Sequence, residues 1–599
     1  MRSNDKIIIL VCLVLMVGLI IAAGMQLDSI NNQRRDMGLI IDRPEDIPPS
    51  LAFATIATGA FRGLVTDFLW MRADRLKEEG QYFDAKQLAE WITILQPKFA
   101  AVWVFHAWNM AYNISVAIPA SRPEQRWQWI KNGYELLRDE AIDKYKLRNI
   151  EIYHELARIF QHKIGNISDD AQYYYKLQLA SLMKPLLSSP DNQFDFEDKG
   201  YFDALVKAPV EWNEIITDPN VSKLIQALKT ADPVFSEDKK FVGNYLSLRQ
   251  DSGRYEPAAA KTIDDFRGTE VLKKFDIFAK AYQLRHVWKL DPVLMREINQ
   301  TYGPLDWSEP NSHLPFDWRH PDSHAIYWAV KGLKIAREDE SREIDIAEIN
   351  ADRIVAHSLH NLFRYGKVYV HNVPVNIESA DPSGESQERF AQEVFLRPDL
   401  RFFESYNEYV LNIIKKYNNE NKGAYESLRN GHRNMLINAL LSFYQSGHKP
   451  QAQKIYRQLR KLYPEIPDFK VEFEVFARKR LIEELETIDI FDTKEQVISL
   501  LRETFFLFAI GDNETAAGRE KMAEEVYKMY VSQNTEERTK IPELKVLKIL
   551  GLIDFLNDEQ FSGSLRSDFI NRIKIERPDL YEQLKTEVEK IRKQSEEAK

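Results

Sequence analysis

The sequence predicts an all-α protein in which helical hairpins follow one N-terminal transmembrane helix. Glycine (23) and proline (25) are sparse among the 599 residues, which disfavours a turn-rich β protein. The spacing of Gly80, Ala85 and Pro97 recurs far downstream in the chain. A turn glycine, a small helical residue and a closing proline at fixed separations are typical of repeated helix pairs. We therefore predict an α-α solenoid that contains an irregular helical insertion.

The composition excludes several classes of function. Hydrophobic residues make up 44 % and charged residues 29 % of the chain, which is a globular mixture. The net charge of -10 and the lack of a long basic run argue against a nucleic-acid partner. The one cysteine, Cys12, lies in an apolar N-terminal run, so the rest of the chain offers no disulfide and no thiolate metal site.

Residues 7–24 form an unbroken apolar run, IIILVCLVLMVGLIIAAG. As a helix this run would span about 27 Å, close to the hydrocarbon core of about 30 Å. Two interpretations compete, namely a transmembrane anchor (1–25) and a cleaved signal peptide ending near Ala22–Gly24. We favour the anchor because the run exceeds a usual signal core. Flanking basic residues do not decide the orientation, but large domains translocate largely regardless of charge, so we expect the bulk of the chain outside the cytoplasm.

Residues 26–49 have the composition of a linker that leads away from the membrane. Charges of both signs are mixed there, and the segment ends in Pro48-Pro49. The next segment, Leu51–Ala60, is apolar and rich in small residues. It would either lie on the membrane surface or pack on the first helical pair. We favour packing, because the segment has no basic face.

The stretch that begins at Thr66 resembles a tetratricopeptide repeat (TPR), a helical pair of about 34 residues. Counted from Thr66, residues of the expected size occupy the expected positions: Leu69, Ala73, Gly80, Tyr82, Ala85 and Pro97. The register continues from Ala100, where Trp103 and Ala107 take the large and the small positions. The resemblance implies a TPR-like α-α superhelix, and such arrays bind other proteins.

A second copy of the pattern lies between Arg433 and Pro464. Its matching residues are Ala439, Phe443, Gly447, Ala452, Tyr456, Leu459 and Pro464, and it departs from the pattern at Leu440. A looser copy has Gly511, Ala516 and Ala523. The register divides the rest of the chain into TPR-like repeats (50–189), an irregular helical insertion (190–303), a duplicated loop (304–325), further TPR-like repeats (326–480) and a C-terminal helical region (481–599).

The resemblance also implies a concave groove lined by the first helix of each repeat. The groove positions that we select are Trp70, Asp74, Lys77, Val104, Trp108, Ile437, Leu441 and Tyr444. Tryptophans in such a groove would be large anchors for a partner protein, although burial against a neighbouring helix is an equally good interpretation. Some family members hold a terminal carboxylate with Lys and Asn at such positions or next to them, but the corresponding places here are occupied by Trp70, Asp74, Phe105 and Trp108, so the resemblance does not imply that clamp.

Residues 304–325 contain an eleven-residue tandem copy, PLDWSEPNSHL followed by PFDWRHPDSHA. The prolines exclude a helix within it, and Asp, Asn and Ser favour turns. The candidate site residues are Asp306, Trp307, His313, Asp317, Trp318, His320, Asp322 and His324. They could hold a divalent metal or clamp a partner peptide, but we favour a loop whose tryptophans are buried and whose aspartates cap turns. A helix follows, for which Ser323 is the predicted N-cap.

Elsewhere the chain is predicted to be helical, with one exception. Val368–Asn376 (VYVHNVPVN) is the one clear β-like run, and Glu378–Glu388 is a polar loop. No phosphate loop, dinucleotide glycine pattern, nucleophile elbow or zinc helix is present.

We predict a membrane-anchored scaffold for protein–protein interactions at the cell envelope, without a cofactor. The alternatives are a metal-binding or hydrolytic protein centred on 304–325, and an extracytoplasmic ligand-binding or sensing domain.

Overall fold

A computed structural model of the protein describes residues 62–166, 168–188, 196–309, 311–338, 344–375, 389–417, 422–445, 448–486, 493–533, 542–557, 561 and 563–586. Across these ranges, no helix combines the length and the apolar composition needed to cross a bilayer. The predicted anchor (7–24), the linker (26–49) and the apolar segment Leu51–Ala60 all lie outside the described residues. So do the polar loop Glu378–Glu388 and the predicted turn residue Gly447.

The described chain is helical almost throughout, which confirms the predicted all-α class. It separates into two units, which are described individually. Among the described residues, the first contains 62–118 together with 128–152, and the second contains 119–127 and those from 153 onward. The first helices are α1 (Arg62–Glu78), α2 (Tyr82–Leu95), α3 (Ala100–Trp108, continued by the π-helical turn Asn109–Ile114 and by Ser115–Ala117) and α4 (Pro123–Glu135, continued by the π-helical segment Leu136–Lys144).

The hairpin of α1 and α2 has the geometry expected from its sequence. Gly80 lies between the helices with φ of 77°, a left-handed conformation in which a side chain would be strained. The small residues Ala73 and Ala85 are 1 % and 0 % exposed, so the helices approach closely at these positions. The second helix ends before Pro97, whose carbonyl accepts a 2.8 Å hydrogen bond from the Trp103 indole.

Helices of the second unit continue the chain to the end of the described part. Up to the sheet they are α5 (Ile150–Arg158, continued by Ile159–Ile164), α6 (Gln172–Leu187), α7 (Lys199–Lys207), α8 (Trp212–Ile215), α9 (Pro219–Ala231), α10 (Asp238–Gln250), α11 (Pro257–Asp265), α12 (Glu270–Gln283, continued by Leu284–Trp288), α13 (Pro292–Tyr302), α14 (Pro321–Ala336) and α15 (Ile346–Tyr365). Beyond the sheet they are α16 (Phe403–Tyr417), α17 (Lys422–Gln445), α18 (Lys449–Leu462), α19 (Phe473–Glu486), α20 (Thr493–Ala509), α21 (Asn513–Gln533), α22 (Leu544–Asn557) and α23 (Gly563–Glu576).

A two-stranded antiparallel sheet interrupts the helices of the second unit. The predicted β-like run forms β1 (Lys367–Val375), and its partner β2 (Arg389–Arg397) was not predicted. Val368 and Val394 pack with Ala180 of α6 in a small buried cluster. One face of the hairpin is therefore covered by a helix, which gives a short sheet the apolar support that it needs.

Ionic networks connect parts of the second unit that are far apart in sequence. The Arg401 guanidinium makes a two-pronged contact with the Glu197 carboxylate, at 2.8 and 2.6 Å, and also contacts Asp399 at 2.8 and 2.7 Å. Asp352, which is 2 % exposed, accepts hydrogen bonds from the hydroxyls of Tyr409 (2.7 Å) and Tyr417 (2.6 Å). These paired groups join separate segments of the second unit, and breaking any one bond would leave a charge with little water.

Candidate functional site

An aromatic patch on the first unit contains most of the predicted groove residues of α1 and α3. The Trp70 ring lies 5.1 Å from the Phe105 ring and 6.0 Å from the Phe99 ring, measured between centroids. Trp70, Val104 and Trp108 are half-buried, and Phe99 is 43 % exposed. The rings therefore support one another and still present apolar area to solvent. We call Trp70, Phe99, Phe105, Trp108 and Lys77 the aromatic patch.

Lys77 joins the two ends of the aromatic patch. Its ammonium lies 5.7 Å from the centroids of both Phe105 and Trp108, within the range of a cation–π contact. The same ammonium donates to the Asp74 carboxylate at 2.7 Å. Asp74 is half-exposed, so this ion pair adds little stability. Its effect is to hold the cation over the two rings.

Phe99 belongs to the aromatic patch but was not among the predicted groove residues. It stands just before Ala100, at the N-terminal end of α3, where repeat register assigns no groove position. The signal that could have identified it is its position two residues after the Pro97 stop, because an aromatic residue there must lie near the end of the preceding hairpin.

The predicted groove residues of α17 are packed by later helices of the second unit. Ile437 is half-buried, whereas Leu441 and Tyr444 are 9 % and 5 % exposed. The Tyr444 ring contacts the Phe473 ring edge-on at 6.0 Å, and its hydroxyl lies 3.4 Å from Glu525. Beside this contact is a pocket of about 250 Å³, lined by Lys449, Pro450, Gln453, Glu472, Phe473 and Glu474.

The first copy of the duplicated segment forms a surface hairpin. Leu305 pairs with His313 as an isolated antiparallel bridge, and the His313 Nδ1 lies 2.8 Å from the Gly303 carbonyl. The Lys199 ammonium donates to Asp306 (3.0 Å) and to Ser312 (2.6 Å) across the hairpin. Hydrogen bonds from Ser308, and then from Lys199, lower the pKa of Asp306 to about 2.

Trp307 is the most exposed large hydrophobic side chain among the described residues of this surface copy. It is 45 % exposed, and its ring meets the His448 ring edge-on at 5.0 Å. The tryptophan therefore lies against the start of α18 rather than in the core. The prediction of buried tryptophans is wrong for this one.

The second copy of the same sequence is buried. Trp318, His320, Asp322 and His324 are each at most 1 % exposed, and Asp317 is half-buried. The Trp318 indole donates to the Asn299 side chain at 3.1 Å, and the His324 Nε2 lies 2.9 Å from the Trp318 carbonyl. Asp317 pairs with Arg319 at 2.6 Å. For this copy, the prediction of buried tryptophan and turn-capping aspartate is confirmed.

The helix after the duplicated segment begins earlier than predicted. Pro321 is its first residue and His320 its N-cap, where Ser323 was predicted to be the cap. The His320 Nδ1 accepts a 3.1 Å hydrogen bond from the Asp322 backbone N–H. Proline suits the first helical position because its missing N–H needs no partner there, which explains the shift.

Two ionisable groups at this helix start have strongly altered proton affinity. Burial lowers the pKa of His320 to about 3 and raises the pKa of Asp322 to about 7. The His320 Nδ1 lies 3.6 Å from the Asp322 carboxylate, and the Asn361 amide donates to that carboxylate at 3.1 Å. Burial also lowers the pKa of Lys176, which Asp322 partly opposes, to about 8. His320 is therefore neutral at physiological pH, and Asp322 is near its titration midpoint.

The arrangement of the duplicated segment supports a packing role. Its three candidate histidines are separated, because His313 lies on the surface hairpin and His320 and His324 lie in the core. In the part of the chain that the structure describes, no group of three or more His, Cys, Asp or Glu side chains is placed so that it could hold a metal ion. Of the two candidate sites, the aromatic patch is the one whose grouped side chains are partly exposed and therefore accessible to a partner.

Comparison of the sequence with protein-family models, and with curated proteins, finds no match.

Proposed function

We propose that this chain is a membrane-anchored helical scaffold, a TPR-like superhelix that binds another protein through the aromatic patch at the cell envelope. The observation that carries the proposal is the grouping of Trp70, Phe99, Phe105 and Trp108 around the Lys77 ammonium. Partly exposed tryptophans beside a cation are typical of the residues that contribute most to protein–protein binding.

The support for a TPR-like array is local. The turn at Gly80, the buried Ala73 and Ala85, and the left-handed Gly511 between α20 and α21 all agree with helical pairs of this kind.

The support for the anchor is the apolar run 7–24 in the sequence. A partner bound by the aromatic patch would thus be held within reach of a membrane.

The binding proposal is tested by affinity capture with the full-length chain in detergent. We expect Trp70→Ala and Trp108→Ala to lose a partner that the unmodified chain retains, with each substitution weakening binding by about 2 kcal/mol or more. Trp91→Ala is the matched control, because Trp91 is a tryptophan of α2 that is 43 % exposed and stands outside the aromatic patch.

A second substitution separates binding from folding. Lys77→Glu replaces a surface side chain with one of opposite charge, so it removes the cation without opening the aromatic contacts. We expect it to weaken capture while the thermal midpoint of the chain stays within a few degrees. If all three substitutions at the aromatic patch retain the same partners as Trp91→Ala, the proposal is wrong.

The placement of the chain is tested with reporter fusions at the carboxyl terminus. A reporter that is active only outside the cytoplasm is expected to work in this fusion. Deletion of residues 7–24 is expected to leave the reporter inside. An active cytoplasmic reporter on the full-length chain would contradict the proposed orientation.

A further inference from the structure

A row of aromatic rings runs along α1 and α3 in the first unit. Tyr112 extends the aromatic patch, because its ring stacks on the Trp108 ring with 6.4 Å between centroids. At the other end of the row, the Trp70 ring lies 6.0 Å from the Phe99 ring and 5.1 Å from the Phe105 ring. We call these side chains the ring row: Phe99, Trp70, Phe105, Trp108 and Tyr112.

The charges at the ring row balance. Residues 99–118 contain no Asp, Glu, Lys or Arg, and the one histidine among them, His106, is neutral because burial lowers its pKa to about 3. On α1, the Lys77 ammonium lies between the two halves of the ring row and is paired with the Asp74 carboxylate at 2.7 Å. The ring row therefore offers apolar surface rather than a net charge.

Charged residues near the ring row are of both signs. Asp67 and Glu78 on α1, and Lys98 just before α3, are exposed. Arg72 and Arg75 lie about 140–160° around α1 from the tryptophan of that helix, so they belong to a different side of it. Neither an acidic nor a basic partner is favoured by this arrangement, which suits a segment without charge.

The polar groups of the two tryptophans in the ring row are hydrogen-bond donors. An indole N–H can donate but has no lone pair with which to accept. Among the residues that the structure describes, the Trp70 and Trp108 indoles have no acceptor, and their N–H groups reach solvent. The buried Trp103 differs, because its indole donates to the Pro97 carbonyl. A partner that fits the ring row therefore has to supply free acceptors.

We propose that the ring row binds a proline-rich segment of a partner protein in the polyproline II conformation, an inference that rests on the proposed function of the aromatic patch. Proline has no backbone N–H, so such a segment needs no acceptor from the indoles. Its carbonyls make no hydrogen bonds within the segment and are free to accept from Trp70, Trp108 and Lys77. A helical partner has already used its carbonyls, and a strand would bring N–H groups for which the indoles offer no acceptor.

The spacing of the rings agrees with this conformation. A polyproline II helix rises about 3.1 Å per residue, so two residues advance about 6 Å. The contacting rings of the ring row are 5.1, 6.0 and 6.4 Å apart. Pyrrolidine rings can therefore pack against successive aromatic rings, as they do where aromatic-lined grooves recognise proline-rich segments. The segment also holds its conformation before binding, so little conformational entropy is lost.

Calorimetric titration of the full-length chain in detergent with acetylated, amidated decaproline tests the proposal. We expect saturable binding, and no comparable binding of a glycine-serine peptide of the same length, which is also uncharged but flexible. Trp70→Phe and Trp108→Phe keep a ring and remove the N–H donor, so each is expected to weaken binding about fivefold. Trp91→Phe is the matched control, because Trp91 is partly exposed on α2 outside the ring row, and it should bind like the unmodified chain.

The results that contradict this inference differ from those that contradict the proposed function. Absence of decaproline binding, or equal affinity in Trp70→Phe, Trp108→Phe and Trp91→Phe, would overturn the inference. If the unmodified chain still captures a partner that Trp70→Ala and Trp108→Ala lose, the aromatic patch binds a protein of other chemistry and the proposed function stands. Binding of an amphipathic helical peptide in place of decaproline, with the same loss in Trp70→Phe, would assign the ring row to a helix and would also reject the inference.

Discussion

The Asp322 backbone N–H donates to the His320 imidazole at 3.1 Å, and this bond marks the start of α14 in the core of the second unit. Histidine caps a helix less often than Ser, Thr, Asp or Asn, because its acceptor nitrogen must stay unprotonated. Burial satisfies that condition here by lowering the pKa of His320 to about 3. His320 therefore stays neutral at physiological pH, and its Nδ1 remains available to accept the hydrogen bond that caps α14.

Substitution of His320 is expected to destabilise the start of α14. His320→Ala removes the cap and leaves a cavity at a side chain that is 1 % exposed, so we expect a loss of about 2–4 kcal/mol. His320→Asn keeps an acceptor on a smaller side chain and should lose clearly less. Hydrogen exchange of the first-turn amides of α14 measures the effect, and equal exchange in the two variants would show that capping does not matter here.

Asp322 is expected to make the second unit less stable as the pH rises. Its pKa is raised from 3.8 to about 7 in the folded state, so the folded chain binds a proton more tightly than the unfolded chain. Stability should therefore fall between about pH 4 and pH 7, by at most about 4 kcal/mol, and stay level above that range.

Asp322→Asn mimics the protonated carboxyl and should abolish this part of the pH dependence. Denaturation midpoints measured between pH 5 and 8 test the expectation, with Asp203→Asn as a control at an exposed aspartate. If Asp322→Asn and the unmodified chain show parallel pH profiles, the carboxyl does not titrate in this window.

The turn at Gly80 gives a prediction with an internal control. Gly80→Ala forces a side chain into a backbone with φ of 77°, and we expect a loss of about 1 kcal/mol from the hairpin of α1 and α2. Gly63→Ala adds a methyl group within α1, and no atom beyond the adjacent residues and the local helix backbone lies within 4 Å of the new carbon, so it should be neutral or stabilising by up to about 1 kcal/mol. Thermal midpoints of the two variants should move in opposite directions, and a shared direction would contradict the turn assignment.

Arg401 is expected to be among the most costly charged residues to remove. Arg401→Ala leaves Asp399, whose side chain is 3 % exposed, without its guanidinium partner, and we expect a loss of about 3–5 kcal/mol. Arg401→Lys keeps the charge but not the planar fork, so an intermediate loss is expected. Arg296→Ala is the control, because its pair with Asp203 at 3.4 Å is exposed and should contribute less than about 1 kcal/mol. Urea midpoints that rank these three variants differently would refute the assigned roles.

The helical class and the first hairpin were predictable from local signals. A glycine turn, two small residues and a closing proline each act within a few residues of chain, so Gly80, Ala73, Ala85 and Pro97 could be interpreted without any tertiary information. Trp70 and Trp108 were selected through the repeat register, and their role in a groove stays a prediction. Phe99 was not selected, because its place in the aromatic patch depends on how one hairpin meets the next helix.

Features that depend on tertiary contacts could not be predicted from the sequence. Strand β2 has a weak pattern of its own and is stabilised by pairing with β1 and by contact with α6, which lies far earlier in the chain. The burial of Tyr444 involves helices much later in the chain, such as that of Glu525, which lies 81 residues further on. The start of α14 was predicted too late in the sequence. Ser323 was chosen because serine is a common N-cap, and the preference of proline for the first helical position, here Pro321, was not considered.

The tandem copies at 304–314 and 315–325 differ in how much change they tolerate. The copies share six of their eleven residues, yet one stands on the surface and the other in the core, so the shared pattern alone does not determine what each copy contributes. An epitope or a fluorophore inserted at Trp307–Glu309 would meet solvent, whereas the same insertion beside Trp318 would have to displace packed side chains. The surface copy is therefore the natural attachment point for a label on the second unit.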